Sequence, residues 1–500
     1  SVTDLILALD QGTTSSRALT FTKDGQILSQ GQMEFTQHYS KPGWVEHDPE
    51  AIWTSVVKTA QTAIGDAEAL GGQIRAIGIT NQRETVICWD RATGQPIHNA
   101  IVWQDRRTAD TCNTLKAGGH EEAIRAKTGL LLDPYFSATK IAWLLDNVDG
   151  ARARAERGEL ACGTVDTFMI WRLTDGASHV TDETNAARTL LYNIHEGAWD
   201  EDLLDLFNIP ASLLPEVKLS ADDFGQASGD ILGLDIPITG VAGDQQSASF
   251  GQGCTAPGMT KATYGTGCFV LMNTGHEAAL SDNRLLTTRA CRTSGPPVFA
   301  MEGSIFVAGA VAQWLRDELE IIPDSPASEE MAASVESNDG VYLVPAFTGL
   351  GAPHWDSEAR GAIFGMTRQT NRVAVVRAAL EAVGYQTRDL IKALESDGFK
   401  PDLIRVDGGM SQNNWLMQFV SDLTGTPLER PQNVETTALG AALLAGLHIG
   451  LWQSDSELDA VRRADRRFEP GMGEAERDAL TAGWDSAVAA TRFFADKQRG

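Results

Sequence analysis

The chain has 500 residues, and 42% of them are hydrophobic. Because this length exceeds what a single hydrophobic core usually serves, we expect two domains, 1–250 and 251–500. Its formal net charge of −26 repels polyanions, so nucleic acid is not an expected partner. The sequence contains no run of eighteen apolar residues and no signal-peptide pattern, so we expect a cytoplasmic protein with no integral membrane segment. Its six cysteines are scattered and form no C-x-x-C, so we expect reduced thiols.

The first predicted element is a buried strand, LILALD, which ends at Asp10. A turn of small polar residues follows before a second β-prone run: Gly12, Thr13, Thr14, Ser15 and Ser16, then Arg17. Backbone N–H groups and hydroxyls in such a turn can surround phosphate oxygens. Asp10 can hold a magnesium ion, directly or through water, and Arg17 adds positive charge. An ordinary hairpin turn is the alternative interpretation.

The next stretch, ALTFTKDGQILSQG, predicts a hairpin that turns at Asp24-Gly25, and QMEFTQHY predicts a further strand. A helix follows, because Asp48 can cap it and Pro49 suits its first turn. Its apolar residues recur every four positions on one face, at Ile52, Val56, Ala60 and Ile64.

Near the middle of the chain, GMTKATYGTGCFVLMNTG predicts two strands around a glycine-rich turn that contains Gly265 and Thr266. Later come a strand, LIRVDGG, a helix, NNWLMQFVSDLTG, that ends at Gly425, and a small-residue helix, TALGAALLAGL. Gly408 and Gly409 would let a flat ring approach the backbone. A strand-turn-strand unit thus occurs twice, about 250 residues apart. This repetition predicts two related halves that face one another.

The three turns, DQGTTSSR, YGTG and DGG, resemble the phosphate and adenosine loops of the actin-like ATPase superfamily. YFSATKIAWLLDN resembles a signature of the FGGY carbohydrate kinases through Tyr135, Ser137, Lys140, Trp143 and Asp146. This resemblance implies an α/β fold of two ribonuclease H-like (actin-like ATPase) domains flanking a central cleft, and a kinase that uses ATP and Mg2+. Because fold alone leaves function open, a chaperone or filament ATPase is an alternative.

Four stretches, NQRET, NAIVWQDRRT, AGDQQSASFGQ and TYGTGCF, are most similar to the members of this family that phosphorylate glycerol in its catabolism. The resemblance implies that hydroxyls are bound by Arg83, Glu84, Tyr135, Asp244 and Gln245, and that carbons are covered by Trp103 and Phe269. From the residues alone, the Arg-Glu pair could be a surface ion pair and the aromatics could fill a core. A sister kinase for a pentulose or a tetritol remains an alternative.

The resemblance also gives Asp244 the role of catalytic base, for which the alternative is capping of the following helix. On the nucleotide side it implies contacts from Thr13, Thr14, Ser15, Arg17, Gly265, Thr266, Gly309, Gln313, Gly409 and Asn413, with Asp10 as the metal partner. Family members often form dimers or tetramers, so we expect a homo-oligomer.

One position departs from the family pattern. Many bacterial relatives are inhibited by fructose 1,6-bisphosphate through a Gly-x-Arg loop that precedes IPI. This chain has GLDIPI, with Asp235 where the arginine would lie. Because an acid repels a bisphosphate, we expect weak inhibition by that effector.

Overall fold

The computed structural model describes residues 2–499. Up to residue 251 its strands are β1 (Thr3–Gln11), β2 (Ser15–Thr22), β3 (Ile27–Glu34), β4 (Glu46–His47), β5 (Gly72–Asn81), β6 (Val86–Asp90), β7 (Ala100–Ile101), β8 (Leu160–Thr164), β9 (Val180–Asp182), β10 (Tyr192–Asn193), β11 (Ala198–Trp199), β12 (Glu216–Lys218), β13 (Gln226–Ala227) and β14 (Ile236–Gly243). The helices of this part are α1 (Pro49–Ala69), α2 (Ala109–Ala117), α3 (Glu121–Thr128), α4 (Ser137–Asn147), α5 (Ala151–Glu156), α6 (Val165–Leu173), α7 (Glu183–Ala186), α8 (Glu201–Phe207), α9 (Gly229–Leu232) and α10 (Asp244–Gly251), with a 3-10 turn at Ala211–Leu213.

The remaining strands are β15 (Thr260–Tyr264), β16 (Cys268–Gly275), β17 (Leu286–Arg289), β18 (Phe299–Ile305), β19 (Tyr342–Val344), β20 (Ala362–Phe364), β21 (Ile404–Asp407), β22 (Leu428–Pro431) and β23 (Ala464–Phe468). The remaining helices are α11 (Gly309–Asp317), α12 (Ala327–Ala333), α13 (Arg372–Ser396), α14 (Asn414–Thr424), α15 (Thr436–His448), α16 (Asp455–Val461) and α17 (Glu474–Arg499), with a 3-10 turn at Gly409–Gln412. Within residues 2–499, no helix is long and apolar enough to cross a bilayer.

The strand β1 lies inside a six-stranded sheet with the order β13-β14-β5-β1-β2-β3. It pairs antiparallel with β2 and parallel with β5. Leu5, Leu7 and Leu9 pack in the same cluster as the apolar face of α1, whereas Ile6 and Ala8 pack in the cluster that contains residues of α15. Because both faces are covered, the strand is apolar at every position from Leu5 to Leu9 instead of alternating.

The predicted first helix is confirmed as α1. Its N-cap is Asp48, whose side chain accepts a hydrogen bond from the Glu50 N–H at 2.9 Å, and Pro49 is its first residue. The predicted hairpin before it is confirmed as β2 and β3, with Gly25 in the turn at a φ of 81°.

The prediction of a separate strand over QMEFTQHY is wrong, because β3 runs without a break from Ile27 to Glu34. Gly31 lies in the middle of this strand. A Cβ there would lie 2.9 Å from the carbonyl oxygen of Thr59 in α1. The glycine therefore permits close packing of a helix on the strand and does not mark a turn.

The second large sheet repeats the topology of the first. The order β18-β16-β15-β21-β22 matches β3-β2-β1-β5-β14, with antiparallel pairing among the first three strands and parallel pairing onward. The extra strands β17 and β23 lie at the edges. This repeated order confirms the prediction of two related halves.

The helices that follow the equivalent strands β14 and β22 are α10 and α15, and they pack against each other. Glycines make this contact close: a Cβ on Gly440 would collide with the Ser247 carbonyl, and one on Gly251 with the Thr436 carbonyl. A helix of the second half thus lies directly against a helix and a sheet of the first. The predicted boundary at residue 250 falls in the last turn of α10 and stays a prediction.

Candidate functional site

The first predicted phosphate turn joins β1 to β2. The Gly12 N–H donates a hydrogen bond to the Ser15 carbonyl at 2.9 Å, which closes the turn. Asp10 and Arg17 are directly opposite each other in the register of the two strands. Thr14 is exposed at the tip of the turn. The turn therefore presents a carboxylate, a guanidinium and several hydroxyls together.

Asp10 is a half-buried carboxylate that lies near two others, Asp244 and Glu435. Burial raises the pKa of Asp10 to about 7; Arg17 opposes that rise, and the two neighbouring carboxylates increase it. This excess of negative charge fits a divalent cation. Among the side chains that the structure describes, those of residues 2–498 without residue 455, no group of three or more His, Cys, Asp or Glu is arranged to hold a metal ion. A magnesium ion at Asp10 would thus take its other ligands from phosphate and water, as Mg2+ usually does.

The NQRET motif follows β5 directly, and its Arg83 and Glu84 are both buried. Glu84 has a φ of 64°, in the left-handed region that residues other than glycine rarely adopt. Ser137 holds this backbone by donating a hydrogen bond from its Oγ to the Glu84 carbonyl at 2.9 Å. The Lys140 Nζ donates a hydrogen bond to the Tyr135 carbonyl at 2.7 Å. These two residues of the predicted family signature therefore fix the backbone of the candidate site.

Arg83 and Glu84 belong to a buried group of four charges, and they are not a surface ion pair. Glu302 receives Arg83 Nη1 on one oxygen at 2.6 Å and Arg188 Nη2 on the other at 2.8 Å. Arg188 Nε also pairs with Glu84 at 2.7 Å. Burial acts to raise the pKa of Glu302, but Arg188 and Arg83 outweigh it and hold that pKa at about 2. Burial raises the pKa of Glu84, and the same two arginines oppose that rise.

Two of the three predicted aromatic residues, Tyr135 and Phe269, lie against Arg83, and Trp103 lies against Tyr135. Tyr135 accepts a hydrogen bond on its hydroxyl from Arg83 Nη2 at 3.3 Å, and its ring centroid lies 5.7 Å from that of Trp103. Phe269 comes from β16 of the second half, with its ring centroid 5.9 Å from the guanidinium carbon. The Trp103 indole N–H donates to Thr13 Oγ1 at 2.9 Å. This hydrogen bond joins the predicted polyol residues to the first phosphate turn.

Asp244 is the first residue of α10 and lies beside the same arginine. Its Oδ1 is 3.4 Å from Arg83 Nε and accepts the Gln245 N–H at 2.9 Å. Burial raises the pKa of Asp244, and the positive charges of Arg83 and Lys261 partly offset this rise. The residue before it, Gly243, is the N-cap, so Asp244 does not cap the helix. Its carboxylate stays partly exposed.

The second predicted phosphate turn, between β15 and β16, exposes Gly265 and Thr266. The backbone carbonyls of both residues accept hydrogen bonds. The Gly309 N–H donates to the Gly265 carbonyl at 2.8 Å, and the Ala308 N–H donates to the Thr266 carbonyl at 2.9 Å. A Cβ on Gly309 would lie 2.6 Å from the Gly265 carbonyl oxygen, so the start of α11 must be glycine. Gln313 is exposed one helical turn further along α11.

The third predicted turn follows β21. Gly408 has a φ of 87°, and a Cβ there would collide with the backbone of Tyr264 in β15. Gly409 starts the 3-10 turn and has no neighbour within 4 Å of an added Cβ, so its surface is open. Asn413 is the N-cap of α14 and accepts the Leu416 N–H at 2.9 Å. Its side-chain NH2 is therefore the group left for a ligand.

The polyol residues come together from both halves. Arg83 contacts Asp244, Tyr135 and Phe269. Within residues 2–499, no hydrogen bond joins Gln313 or Asn413 to another predicted site residue. Sequence reasoning missed four residues of the site: Arg188, Gln246, Lys261 and Glu302.

Two family models match the chain. The N-terminal domain of the FGGY family of carbohydrate kinases matches residues 5–251, and its C-terminal domain matches residues 260–449. The chain belongs to the FGGY family of carbohydrate kinases.

Curated relatives match this FGGY kinase along almost its whole length. It is 57% identical to the glycerol kinase of Rhodospirillum centenum over 487 residues, which cover 97% of this chain and 98% of the relative. It is 58% identical to the glycerol kinase of Alcanivorax borkumensis over 485 residues, 97% of each protein.

Solved structures match the fold. A crystal structure of Plasmodium falciparum glycerol kinase with ADP is 40% identical, with a TM-score of 0.93 and 98% of each chain covered. Xylulose kinase from Lactobacillus acidophilus is 22% identical, with a TM-score of 0.87 and coverage of 98% and 99%, and it supports the fold alone. The fold is α/β, with two ribonuclease H-like domains of the actin-like ATPase type, as the sequence predicts.

Proposed function

We propose that this FGGY kinase transfers the γ-phosphoryl group of ATP to glycerol, giving sn-glycerol 3-phosphate and ADP. The observation that carries the proposal is the position of Asp244. Its carboxylate contacts Arg83 of the polyol residues at 3.4 Å and is close enough to Asp10 of the first phosphate turn to raise its pKa. One carboxylate thus lies between the two groups of residues that would bind the two substrates. The relatives named glycerol kinase support the same substrate.

Glycerol would be bound by its three hydroxyls and covered along its carbons. Arg83, Tyr135 and Gln245 offer donors, and Glu84 and Asp244 offer acceptors. Trp103 and Phe269 would cover the carbon chain. Since the polar groups of the site are largely buried, an analogue that lacks a hydroxyl would leave one of them unpaired. Such sites reject the smaller analogue strongly.

ATP would lie across the three turns. The first turn would bind phosphate through Thr13, Thr14, Ser15 and Arg17, and the second through Gly265 and Thr266. Gly309 and Gln313 would make further nucleotide contacts, and Gly409 and Asn413 would contact the adenine side. The open surface at Gly409 and the free NH2 of Asn413 suit a flat ring with acceptor nitrogens.

Magnesium fits the residues around Asp10, where the carboxylates of Asp244 and Glu435 add negative charge and few protein ligands are present. When bound, the ion would neutralise charge on the phosphate oxygens. Asp10 would hold it directly or through water, and Arg17 would add a second positive charge at the turn.

Asp244 would act as the base. Phosphoryl transfer has a loose transition state, so positioning and charge neutralisation dominate and the attacking hydroxyl loses its proton late. A terminal hydroxyl oxygen of glycerol bonds to the γ-phosphorus as the bond to the β,γ-bridging oxygen breaks, and the proton passes to Asp244. Burial raises the pKa of Asp244, which strengthens it as a base, and Arg83 and Lys261 partly oppose this rise.

A substrate panel tests the proposal. We expect kcat/KM for glycerol to exceed that for erythritol, xylulose and ribulose by about 100-fold or more. In a site matched to the three hydroxyls of glycerol, these longer molecules would leave polar groups of the site unpaired or clash with its side chains. If kcat/KM were higher for a pentulose or for erythritol than for glycerol, that molecule would be the preferred substrate and the proposal would be wrong. Two further parts of the proposal stay predictions: a cytoplasmic location and a homo-oligomer, either a dimer or a tetramer.

A further inference from the structure

Lys261 is a buried lysine of β15 that connects the two halves at the polyol residues. Its Nζ donates to Gln245 Oε1 in α10 at 2.6 Å and to Thr263 Oγ1 at 2.9 Å. It also lies 3.4 Å from the carbonyl oxygen of Phe269. Two of these partners, Gln245 and Phe269, are proposed glycerol contacts, one from each half.

The chemistry of the ammonium group fixes the orientation of Gln245. An ammonium has three N–H donors and no acceptor, so the side-chain oxygen of Gln245 must face it. The NH2 of the same amide then points away from Lys261. Gln245 is half-buried, and its backbone N–H is taken by Asp244. The side-chain NH2 is therefore the donor that Gln245 can offer to a bound molecule.

The charged groups around Lys261 act in opposite directions on its pKa. Burial lowers the pKa of the Lys261 ammonium, and Asp407 and Glu302 oppose this change while Arg83 adds to it. The lysine in turn lowers the pKa of Asp407 and Asp244 relative to what burial alone would give. Lys261 thus supplies positive charge next to the base as well as a hydrogen bond to its neighbour.

We propose that Lys261 is a positioning residue for substrate selectivity: it holds the Gln245 amide so that its NH2 donates to one glycerol hydroxyl, and it fixes the Phe269 backbone beside it. This inference rests on the proposed function. A glycerol hydroxyl can accept such a bond, whereas a carbon that lacks the hydroxyl cannot. Lys261 therefore raises the preference for the triol over one of the two diols that lack a hydroxyl.

Discrimination between triol and diol separates this role from a merely structural one. The measured quantity is kcat/KM for glycerol divided by kcat/KM for propane-1,2-diol and for propane-1,3-diol. In Lys261→Met we expect the ratio for one diol to fall about tenfold and the ratio for the other to stay unchanged, because one hydrogen bond is lost. A general loss of structure would lower all three kcat/KM values and leave both ratios as they are, which would overturn the inference.

Two further variants complete the experiment. Gln245→Glu keeps a side-chain oxygen that accepts from Lys261 and removes the NH2, so it should lower the same ratio as Lys261→Met. An unchanged ratio in Gln245→Glu would overturn the inference even if Lys261→Met does not fold. Lys58→Met, at an exposed position of α1, is the matched control and should keep wild-type ratios. If the wild-type enzyme does not phosphorylate glycerol, the proposed function itself fails, which is a distinct result.

Discussion

Arg17 and Glu435 form an ion pair of 2.5 Å between the first phosphate turn and the residue that precedes α15, although 418 positions separate them in the chain. Arg17 uses Nη1 for this pair, and its guanidinium makes no other hydrogen bond to the side chains described in residues 2–498, which leave out that of residue 455. Its remaining N–H groups can bind phosphate at the same time, since guanidinium offers five donors. Glu435 therefore anchors Arg17 without competing for all of its donors.

Removing this anchor should weaken nucleotide binding. We expect Glu435→Ala to raise the KM for ATP about fivefold, which corresponds to about 1 kcal/mol for a partly exposed ion pair. Glu435→Gln keeps an oxygen that accepts from Arg17 and should change this KM by less than about twofold. Steady-state kinetics at saturating glycerol checks both variants. A KM in Glu435→Ala below the wild-type value would mean that Glu435 competes with phosphate.

Asp244→Asn should remove the base and leave nucleotide binding largely intact. We expect kcat to fall by about 10²- to 10⁴-fold, the usual contribution of a general base. The dissociation constant for ATP, measured by calorimetry, should change by less than about threefold, because Asp244 contacts Arg83 and not the nucleotide turns directly. Near-normal turnover would remove its proposed role.

Glu302→Gln should damage both stability and glycerol binding. It leaves Arg83 and Arg188 buried with an uncompensated charge, which costs about 3 kcal/mol or more, and we expect the KM for glycerol to rise at least about tenfold. Because the pKa of Glu302 is held at about 2, below its ordinary value of 4.5, the ionised group stabilises the fold above pH 4.5. That contribution is lost as pH falls toward 2. Thermal unfolding between pH 7 and pH 3 should therefore show a smaller loss of Tm in the variant.

The buried pair of Arg289 and Glu183, at 2.7 Å, offers a matched control for the Glu302 variant. Arg289→Met should lower the Tm by a similar amount but leave the KM for glycerol unchanged, since neither residue belongs to the proposed polyol contacts. If the KM for glycerol rose as much in Arg289→Met as in Glu302→Gln, lost stability alone would explain the effect of Glu302→Gln.

Asp10→Asn should stabilise the protein at alkaline pH while it impairs catalysis. The pKa of Asp10 is raised by burial from 3.8 to about 7, so between these values the folded state holds a proton that the unfolded state has released. Stability therefore falls as pH rises through this window. Without nucleotide or metal, we expect the variant to have a Tm about 2 to 4 °C higher than wild type at pH 8 and no difference at pH 4. An equal Tm at pH 8 would contradict the raised pKa.

Fructose 1,6-bisphosphate should inhibit this enzyme weakly. The Asp235 carboxylate accepts the Gly229 N–H at 2.7 Å, at the start of α9, so a negative charge already occupies a backbone donor that an anion would need. We expect little change in rate when the bisphosphate is added at millimolar concentration to a standard assay. Inhibition as strong as in a sensitive relative would show that another residue replaces the missing arginine.

Turn chemistry and apolar periodicity predicted the strands that carry the three turns, because small polar residues between apolar runs have few other structures. The same reasoning failed at Gly31, where the glycine serves the contact with Thr59 of α1. Long-range packing of this kind leaves no local signal in the sequence.

The residues that sequence reasoning missed are charged groups recruited from distant elements. Glu302 lies in the apolar strand FAMEGSI, and Lys261 lies in a β-prone run before the second turn. A charge inside a buried strand is itself a signal, because it needs a partner. Arg188 has no such signal, since it follows a short helix and meets Glu84 only through the fold. The buried group of four charges therefore becomes evident only in the folded structure.

The most direct test of the account is the rate of ATP consumption with and without glycerol, with the phosphorylated product identified by NMR. We predict that ATP is consumed at a high rate when glycerol is present, at a rate at least about 100-fold lower without it, and that glycerol 3-phosphate forms in equal amount to ADP. Hydrolysis of ATP at the same rate without glycerol would contradict the account.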